Sequence, residues 1–278
     1  MDIVFERRGD GPPLLLMHGI GHRWQAWEPV IDLLAEERDV IAVDLPGFGA
    51  SPPLPPGTPY DLDTVVSLLS EFIDRLGLDR PNVAGNSLGG LFALEAADRG
   101  LARSVTALSP AGFYTPVELR YAALALRACR LGAGVPASTM RRLARSPRMR
   151  ALMFGMIYGR PDLIAIDTLL DDAAALRGAA GFEPTLRAGR ETTFRGSVQD
   201  VPVTIAWGTH DRLLRSRQAI RAQQALPHAR FVWLQDCGHV PMADDPHLVA
   251  RVLLEGSADR PRPGAVSRDG AGLGGQIP

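Results

Sequence analysis

The chain has 278 residues, a formal net charge of −1, and 46% hydrophobic against 22% charged residues. That balance supports a sizeable core, as one large α/β domain or two small ones, and excludes a disordered polyelectrolyte. A near-neutral chain has no global attraction to nucleic acid or an anionic membrane, so the expected partner is a small-molecule substrate.

All thirty basic residues are arginine, which we read as composition bias. Cys129 and Cys237 are far apart and form no metal-ligand spacing, so the expectation is a reduced, cytoplasmic protein with no metal. No apolar run approaches the roughly 18 residues that cross a membrane. The opening Met-Asp-Ile-Val-Phe-Glu lacks a signal-peptide core. Oligomeric state is not encoded legibly; a homodimer is compatible with the composition.

In chain order, Ile3–Phe5 reads as a short edge strand and Asp10-Gly11-Pro12-Pro13 as a turn. Leu14–Met17 is an apolar run of strand length, followed by His18-Gly19-Ile20-Gly21. Trp24, Trp27, Ile31 and Leu34 repeat at helical spacing. Val40–Val43 is a second buried strand, ending at Asp44-Leu45-Pro46-Gly47-Phe48-Gly49. Asp61 to Leu76 carries one apolar stripe and stops at Gly77, a helix with a glycine terminator. Asn82–Ala84 ends a third strand, a helix runs from Leu88 to about residue 99, and Val105–Leu108 is the next strand.

This alternation predicts a parallel sheet with helices on both faces. It stops after Ser109-Pro110-Ala111. From Gly112 to about Gly196 four or five helical patterns follow with no strand. It resumes with a strand at Val203–Trp207, a helix at 215–225, a strand at Phe231–Leu234 and a helix at Pro246–Leu254. The expected organisation is therefore a core formed by 1–111 and 197–256, a helical cap at 112–196, and a disordered Gly- and Pro-rich tail at 257–278. A cap inserted there covers the carboxyl edge of the sheet, where open α/β sheets bind ligands.

Between the third strand and its helix lies Gly85-Asn86-Ser87-Leu88-Gly89, a G-x-S-x-G pattern. A strand that turns directly into a helix strains its middle residue and projects that side chain from the sheet edge. Gly85 and Gly89 remove Cβ atoms where strand and helix crowd. Ser87 thus presents its hydroxyl at a helix N-terminus, which suits a nucleophile. A serine needs a base, usually a histidine supported by a carboxylate. Asp211 follows the strand at Val203–Trp207, and His239 follows the strand at Phe231–Leu234. Each alone reads as an ordinary loop residue; three residues at three strand ends read as nucleophile, acid and base. His210 neighbours Asp211, but one turn cannot aim both side chains at one serine. Two N–H donors for a tetrahedral oxyanion are assigned to the backbone of Leu88 and Ile20.

These motifs, with Gly208-Thr209-His210-Asp211 and Gly238-His239, resemble the α/β-hydrolase superfamily over about residues 3 to 256. The resemblance implies a mostly parallel seven- or eight-stranded sheet with a helical cap after the sixth strand, no cofactor, and Ser87, Asp211 and His239 as nucleophile, acid and base. Serine at 87 separates the chain from the haloalkane dehalogenase and epoxide hydrolase branches. Gly85-Asn86-Ser87 is similar to carbon–carbon bond hydrolases of ring-fission products, which usually carry Gly-Pro-Gly where this chain has Gly21-His22-Arg23.

The expected activity is hydrolysis of a small to medium, partly apolar ester or related acyl compound. Alternatives are carbon–carbon bond hydrolysis of a vinylogous keto-acid and a ligand receptor with slow turnover. Candidate pocket residues are Asn86, Phe113, Tyr114, Met153, Met156 and Val240. Met149, Leu152, Met153, Met156 and Ile157 make an apolar helix face, either cap core or pocket lid. Residues 112–160 hold nine arginines against one acid, Glu118. Arg120, Arg127 and Arg130 either guide an anionic substrate or form a solvated face.

Overall fold

A computed structural model describes residues 2–189 and 192–258. The expected tail from 259 to 278 lies outside the described residues. In chain order the elements are β1 (Phe5–Arg8), β2 (Pro13–Met17), a 3-10 turn at Trp24–Trp27, α1 (Glu28–Ala35), β3 (Asp39–Val43), α2 (Leu62–Arg75), β4 (Asn82–Asn86), α3 (Leu88–Asp98) and β5 (Ser104–Leu108). Five helices follow: α4 (Pro116–Gly132), α5 (Ala137–Ala144), α6 (Pro147–Phe154), α7 (Ile166–Gly178) and α8 (Phe182–Ala188). The chain then returns to the sheet with β6 (Val203–Gly208), α9 (Ser216–Ala225), β7 (Arg230–Leu234), α10 (Pro241–Asp244) and α11 (Pro246–Gly256).

The seven strands form one sheet in the order β1-β3-β2-β4-β5-β6-β7. All neighbours are parallel except β1, which pairs antiparallel with β3. With seven strands, the helical segment follows the fifth, one fewer than an eight-stranded count places before it. The edge strand is shifted from its expected position at Ile3–Phe5. Phe5 to Arg8, charged at three of four positions, pair with Val43 to Val40. Arg7 is accommodated there by a two-pronged pair with Asp39 on β3, at 2.8 and 2.7 Å.

Strand periodicity divides the interior in two. Leu15 and Met17 of β2, with Ile41 and Val43 of β3, join a core with Val65, Leu69 and Phe72 of α2 and Leu91 and Leu94 of α3. Leu14, Leu16, Val40 and Ala42 point the other way, to Ile31 and Leu34 of α1 and Val249 and Leu253 of α11. The five strands β2 to β6 are buried along their length apart from Pro13, as helices on both faces require. Asp61 caps α2 by accepting the Thr64 N–H at 2.9 Å, which satisfies one of the orphan donors of its first turn.

The segment α4–α8 lies over the carboxyl ends of the strands, because the loops leaving four of them touch it. Gly21, after β2, adjoins Leu176. The Gly47 carbonyl, after β3, accepts the Gly181 N–H at 2.8 Å. Arg212, after β6, donates to the Gly155 carbonyl at 2.9 Å. Ile157 accepts the N–H groups of His239 and Val240, after β7, at 2.7 and 3.1 Å. The apolar face expected along Met149–Ile157 is not one helix face. Helix α6 ends at Phe154, Gly155 follows, and Met156 and Ile157 belong to the turn beyond.

Candidate active site

Ser87 joins β4 to α3 with φ 55° and ψ −114°, a conformation a non-glycine residue holds at a cost of order 1–3 kcal/mol. The surrounding backbone fixes it. The Ser87 N–H donates to the Leu108 carbonyl at 2.9 Å, and its own carbonyl accepts from Leu91 and Ala111 at 3.1 and 2.9 Å. A Cβ on Gly85 would stand 2.1 Å from the Gly89 carbonyl oxygen, and one on Gly89 2.1 Å from that of Met17. Only glycine permits this crossing of strand and helix. Leu88 is the first residue of α3, so its N–H has no partner within the helix.

The structure brings Asp211 and His239 together. His239 Nδ1 and Asp211 Oδ2 are 2.8 Å apart, and both side chains are almost wholly buried. Asp211 Oδ1 accepts the N–H groups of Leu213 and Leu214 at 3.0 and 2.8 Å, which sets the carboxylate plane. A carboxylate on Nδ1 makes that nitrogen the donor and leaves Nε2 as the acceptor. His210 turns away: it is half exposed, with Nε2 3.8 Å from Asp236.

The loop carrying His239 is tied to the serine turn. Asn86, next to Ser87, donates through Nδ2 to the His239 carbonyl at 2.8 Å and to the Leu108 carbonyl at 3.1 Å. Gly19 packs so closely that a Cβ there would lie 3.2 Å from the Ser87 Cβ. His18 shapes that loop as a neutral ring. Its Nε2 accepts the Leu45 N–H at 3.0 Å, so Nδ1 carries the proton and donates to the Gly19 carbonyl at 2.7 Å. Burial pushes its pKa down to about 3. The His22 N–H closes a turn on the Gly19 carbonyl at 3.2 Å, with Gly21 at φ 80°. Ile20 is thereby held beside Ser87's loop.

Asp44 plays a similar part on the next loop. Its two oxygens accept the N–H groups of Trp24 and Ala50 at 2.6 and 2.8 Å. Burial raises its pKa, against the pull of those two donors.

A cavity of about 410 Å³ lies between Ile20–His22 and helices α4 to α7. Of the pocket residues expected from the sequence, Met153 and Met156 line it. Asn86, Phe113, Tyr114 and Val240 do not. Asn86 is the clamp just described. Phe113 packs on Phe194 with ring centroids 5.8 Å apart. Tyr114 donates its hydroxyl to the Thr192 carbonyl at 2.6 Å, and Val240 is buried in the core beneath α1 and α11. Residues just past a strand end were expected to face a ligand; backbone acceptors and core packing claim these instead. Ser87 and His239 are not among the lining side chains either, but both walls of the cavity are anchored to them. One wall begins one residue after Gly19, and the other contains Ile157, which holds the His239 N–H.

The arginines of 112–160 stay out of this cavity. Arg127 forms a two-pronged pair with Glu183 at 3.0 and 2.9 Å. Arg130 lies over the Phe182 ring at 4.7 Å. Arg120, Arg141, Arg142, Arg145, Arg148 and Arg160 are exposed.

Two groups were invisible in the sequence. Asp244 of α10 accepts three backbone N–H groups: Gly238 at 2.7 Å, Gly159 at 2.9 Å and Arg160 at 2.8 Å. It sutures the helical segment to the loop carrying His239, and burial raises its pKa. The adjacent Asp245 and Pro246 gave a helix-start signal that masked it. The second is His22, Tyr158 and Asp172, clustered in the cavity wall from positions 136 and 14 residues apart.

A buried histidine–carboxylate pair clamped beside a strained serine turn, at the carboxyl edge of a mostly parallel sheet, defines a hydrolase-type α/β architecture. Residues 14–252 match the alpha/beta hydrolase family, and the chain belongs to it. It is 29% identical to a pimeloyl-[acyl-carrier protein] methyl ester esterase of Nitrosomonas europaea, over 88% of this chain and 95% of that one. It is also 29% identical to haloalkane dehalogenase 2 of Mycobacterium tuberculosis, over 91% and 90%. The enol-lactonase of Burkholderia xenovorans LB400 superposes with a TM-score of 0.73 at 21% identity, covering 91% and 95% of the two chains. Among the described residues no helix is long and apolar enough to cross a membrane.

Proposed function

We propose that the protein is a serine hydrolase of small to medium, partly apolar esters or related acyl compounds. The observation that carries this reading is the 2.8 Å buried pair of His239 and Asp211, on a loop that Asn86 holds beside Ser87. In this reading Nε2 of His239 takes the Ser87 proton as Oγ attacks the acyl carbon. The oxyanion is received by the N–H groups of Leu88 and Ile20. His239 then protonates the departing alkoxide, and water, activated by the same histidine, releases the acid and restores Ser87.

Residues 112–196 act as a cap in this scheme, and the apolar cavity beneath them takes the acyl or alkyl part. The likeness to the esterase agrees with this reading. The dehalogenase likeness carries less weight, because haloalkane chemistry needs a carboxylate where this chain has Ser87. The keto-acid alternative loses support for its anion partner, since no arginine among the described residues lines the cavity.

A fluorophosphonate probe is expected to label the wild type, and Ser87→Ala is expected to abolish both labelling and turnover of a p-nitrophenyl ester chain-length series. Removal of one member of such a group lowers kcat by three orders of magnitude or more. Labelling that persists in Ser87→Ala would assign the nucleophile elsewhere. A single-turnover burst with tight retention would favour a receptor.

A further inference from the structure

The cavity is apolar except at one place. Most of its wall is Leu, Ile, Met, Val and Ala, and its polar lining side chains are His22, Tyr158, Asp172 and the thiol of Cys129. His22, Tyr158 and Asp172 form one cluster. Tyr158, itself buried, donates its hydroxyl to Asp172 Oδ2 at 2.5 Å. Asp172 Oδ1 stands 3.9 Å from His22 Nδ1, beyond hydrogen-bond reach. The buried Nδ1 has no hydrogen-bond partner among the described residues.

The buried Nδ1 is costly to leave unpaired in such surroundings, by about 1–3 kcal/mol. The gap between it and Asp172 Oδ1 is too wide for a direct bond and narrow enough for one oxygen to bridge. Small-molecule sites have this form: an apolar envelope with a few converging polar groups that fix orientation.

We infer that His22 and Asp172, with Tyr158 positioning the Asp172 carboxylate, form a specificity subsite that binds a hydroxyl group carried by an otherwise apolar substrate. A hydroxyl is the fitting chemistry because it donates and accepts at once. It donates to Asp172 Oδ1 and accepts from a ring N–H of His22. Burial, foremost, lowers the pKa of His22, and the nearby His239 lowers it further against the opposing influence of Asp172. The ring is therefore a neutral donor–acceptor.

A carboxylate on the substrate is disfavoured, because among the described residues Asp172 is the only acidic or basic lining side chain besides neutral His22. An ammonium would donate to Asp172 and to His22 only in the tautomer that leaves Nδ1 unprotonated, whereas a hydroxyl fits either tautomer. The cavity volume of about 410 Å³ holds about a dozen non-hydrogen atoms at roughly 30 Å³ each. The hydroxyl therefore sits on a chain of medium length.

The subsite's place beside the reacting bond rests on the serine-hydrolase reading; the binding itself does not. The test accordingly uses ligands that are not turned over. Binding of α,ω-diols from butane- to octanediol to the wild-type protein is compared by calorimetry with binding of the matching monoalcohols and ω-amino alcohols. At one or two chain lengths the diol is expected to bind at least tenfold more tightly than the monoalcohol. In Asp172→Leu the order is expected to reverse, because the added hydroxyl then enters an apolar wall unpaired. Tyr158→Phe is expected to keep the preference in weakened form.

Monoalcohols that bind as tightly as diols at every length in the wild type would overturn the inference without any variant. Tighter binding of the amino alcohol would overturn the hydroxyl assignment. If Asp172→Leu fails to fold, His22→Phe locates the subsite instead, and a diol preference unchanged by it overturns the assignment. A diol preference in a protein that cleaves no ester leaves this subsite standing and removes the proposed activity; ester cleavage without a diol preference does the reverse.

Discussion

Replacing Asp244 by alanine removes one carboxylate and strands three backbone donors, one buried and two part-buried. The N–H groups of Gly238, Gly159 and Arg160 now end on its two oxygens, with Gly238 and Gly159 sharing Oδ2. An unsatisfied buried donor costs about 1–3 kcal/mol, so three set an upper range of about 3–9 kcal/mol. Two terms pull the value down. Water can enter the space left by the side chain, and the buried carboxylate is itself disfavoured, as its raised pKa records. The lower end, about 3 kcal/mol, is therefore expected from a total of about 5–15 kcal/mol.

Asparagine discriminates the cause. Its amide oxygen can replace Oδ2 and keep two of the bonds, while its NH₂ would face the Arg160 N–H. Asp244→Asn is expected to lose about 1–2 kcal/mol, less than alanine. Urea denaturation measures both, with an unchanged m-value marking a native-state effect. Because Gly238 precedes His239, kcat for the best ester is expected to fall with stability, at a temperature where each variant remains folded. An alanine variant within about 0.5 kcal/mol of wild type, or an asparagine variant worse than alanine, would refute this account of the suture.

Gly89→Ala drives a Cβ to within 2.1 Å of the Met17 oxygen and 2.6 Å of the His18 oxygen. Both are backbone atoms of the central sheet and the adjoining loop, so the loss is expected to be about 3 kcal/mol or more, read as a lower denaturation midpoint; a variant of wild-type stability would show that α3 is free to shift. Acid sensitivity is expected from His18, whose pKa falls to about 3 in the fold from about 6.5 in the unfolded chain. The unfolded state takes up the proton first, so stability present above pH 6.5 is lost as pH falls toward 3, about 2 kcal/mol of it by pH 5. Urea midpoints between pH 8 and 5 measure this, and His18→Gln is expected to flatten the slope; identical slopes would assign the acid sensitivity elsewhere.

What the sequence shows well is anything carried by local backbone demands. The Gly85–Gly89 turn, the Asp61 cap of α2 and the strand runs of the core are each set by neighbours within a few residues, and the structure places them within two or three positions of expectation. The order of Ser87, Asp211 and His239 is legible for the same reason, since each stands just past a strand. Groups defined by partners far along the chain are not. Asp245, just before Pro246, carries a local helix-start signal and Asp244 carries none, yet Asp244 sutures two segments while Asp245 caps α11. Periodicity likewise reports that a face is apolar without saying what it meets. Met153 and Met156 face the cavity, while Leu152, just before them and also in its lining, remains 76% exposed. Phe113 and Tyr114 were drawn to the pocket by their place after β5; their partners, Phe194 and Thr192, come back from a segment about 80 residues on.

The two hydrogen bonds from His239 and Val240 to the Ile157 carbonyl constrain how the helical segment can move. A cover that swung away as one rigid piece would break both and pull the histidine out of register each time the site opened. Exchange with solvent is therefore expected on the far side, where Leu124, Leu131 and Leu152 stand exposed on α4 and α6 and where Ala128 and Gly132 border the cavity. Residues 155–160, held to the loop after β7, are expected to stay with the sheet while the helices before them move.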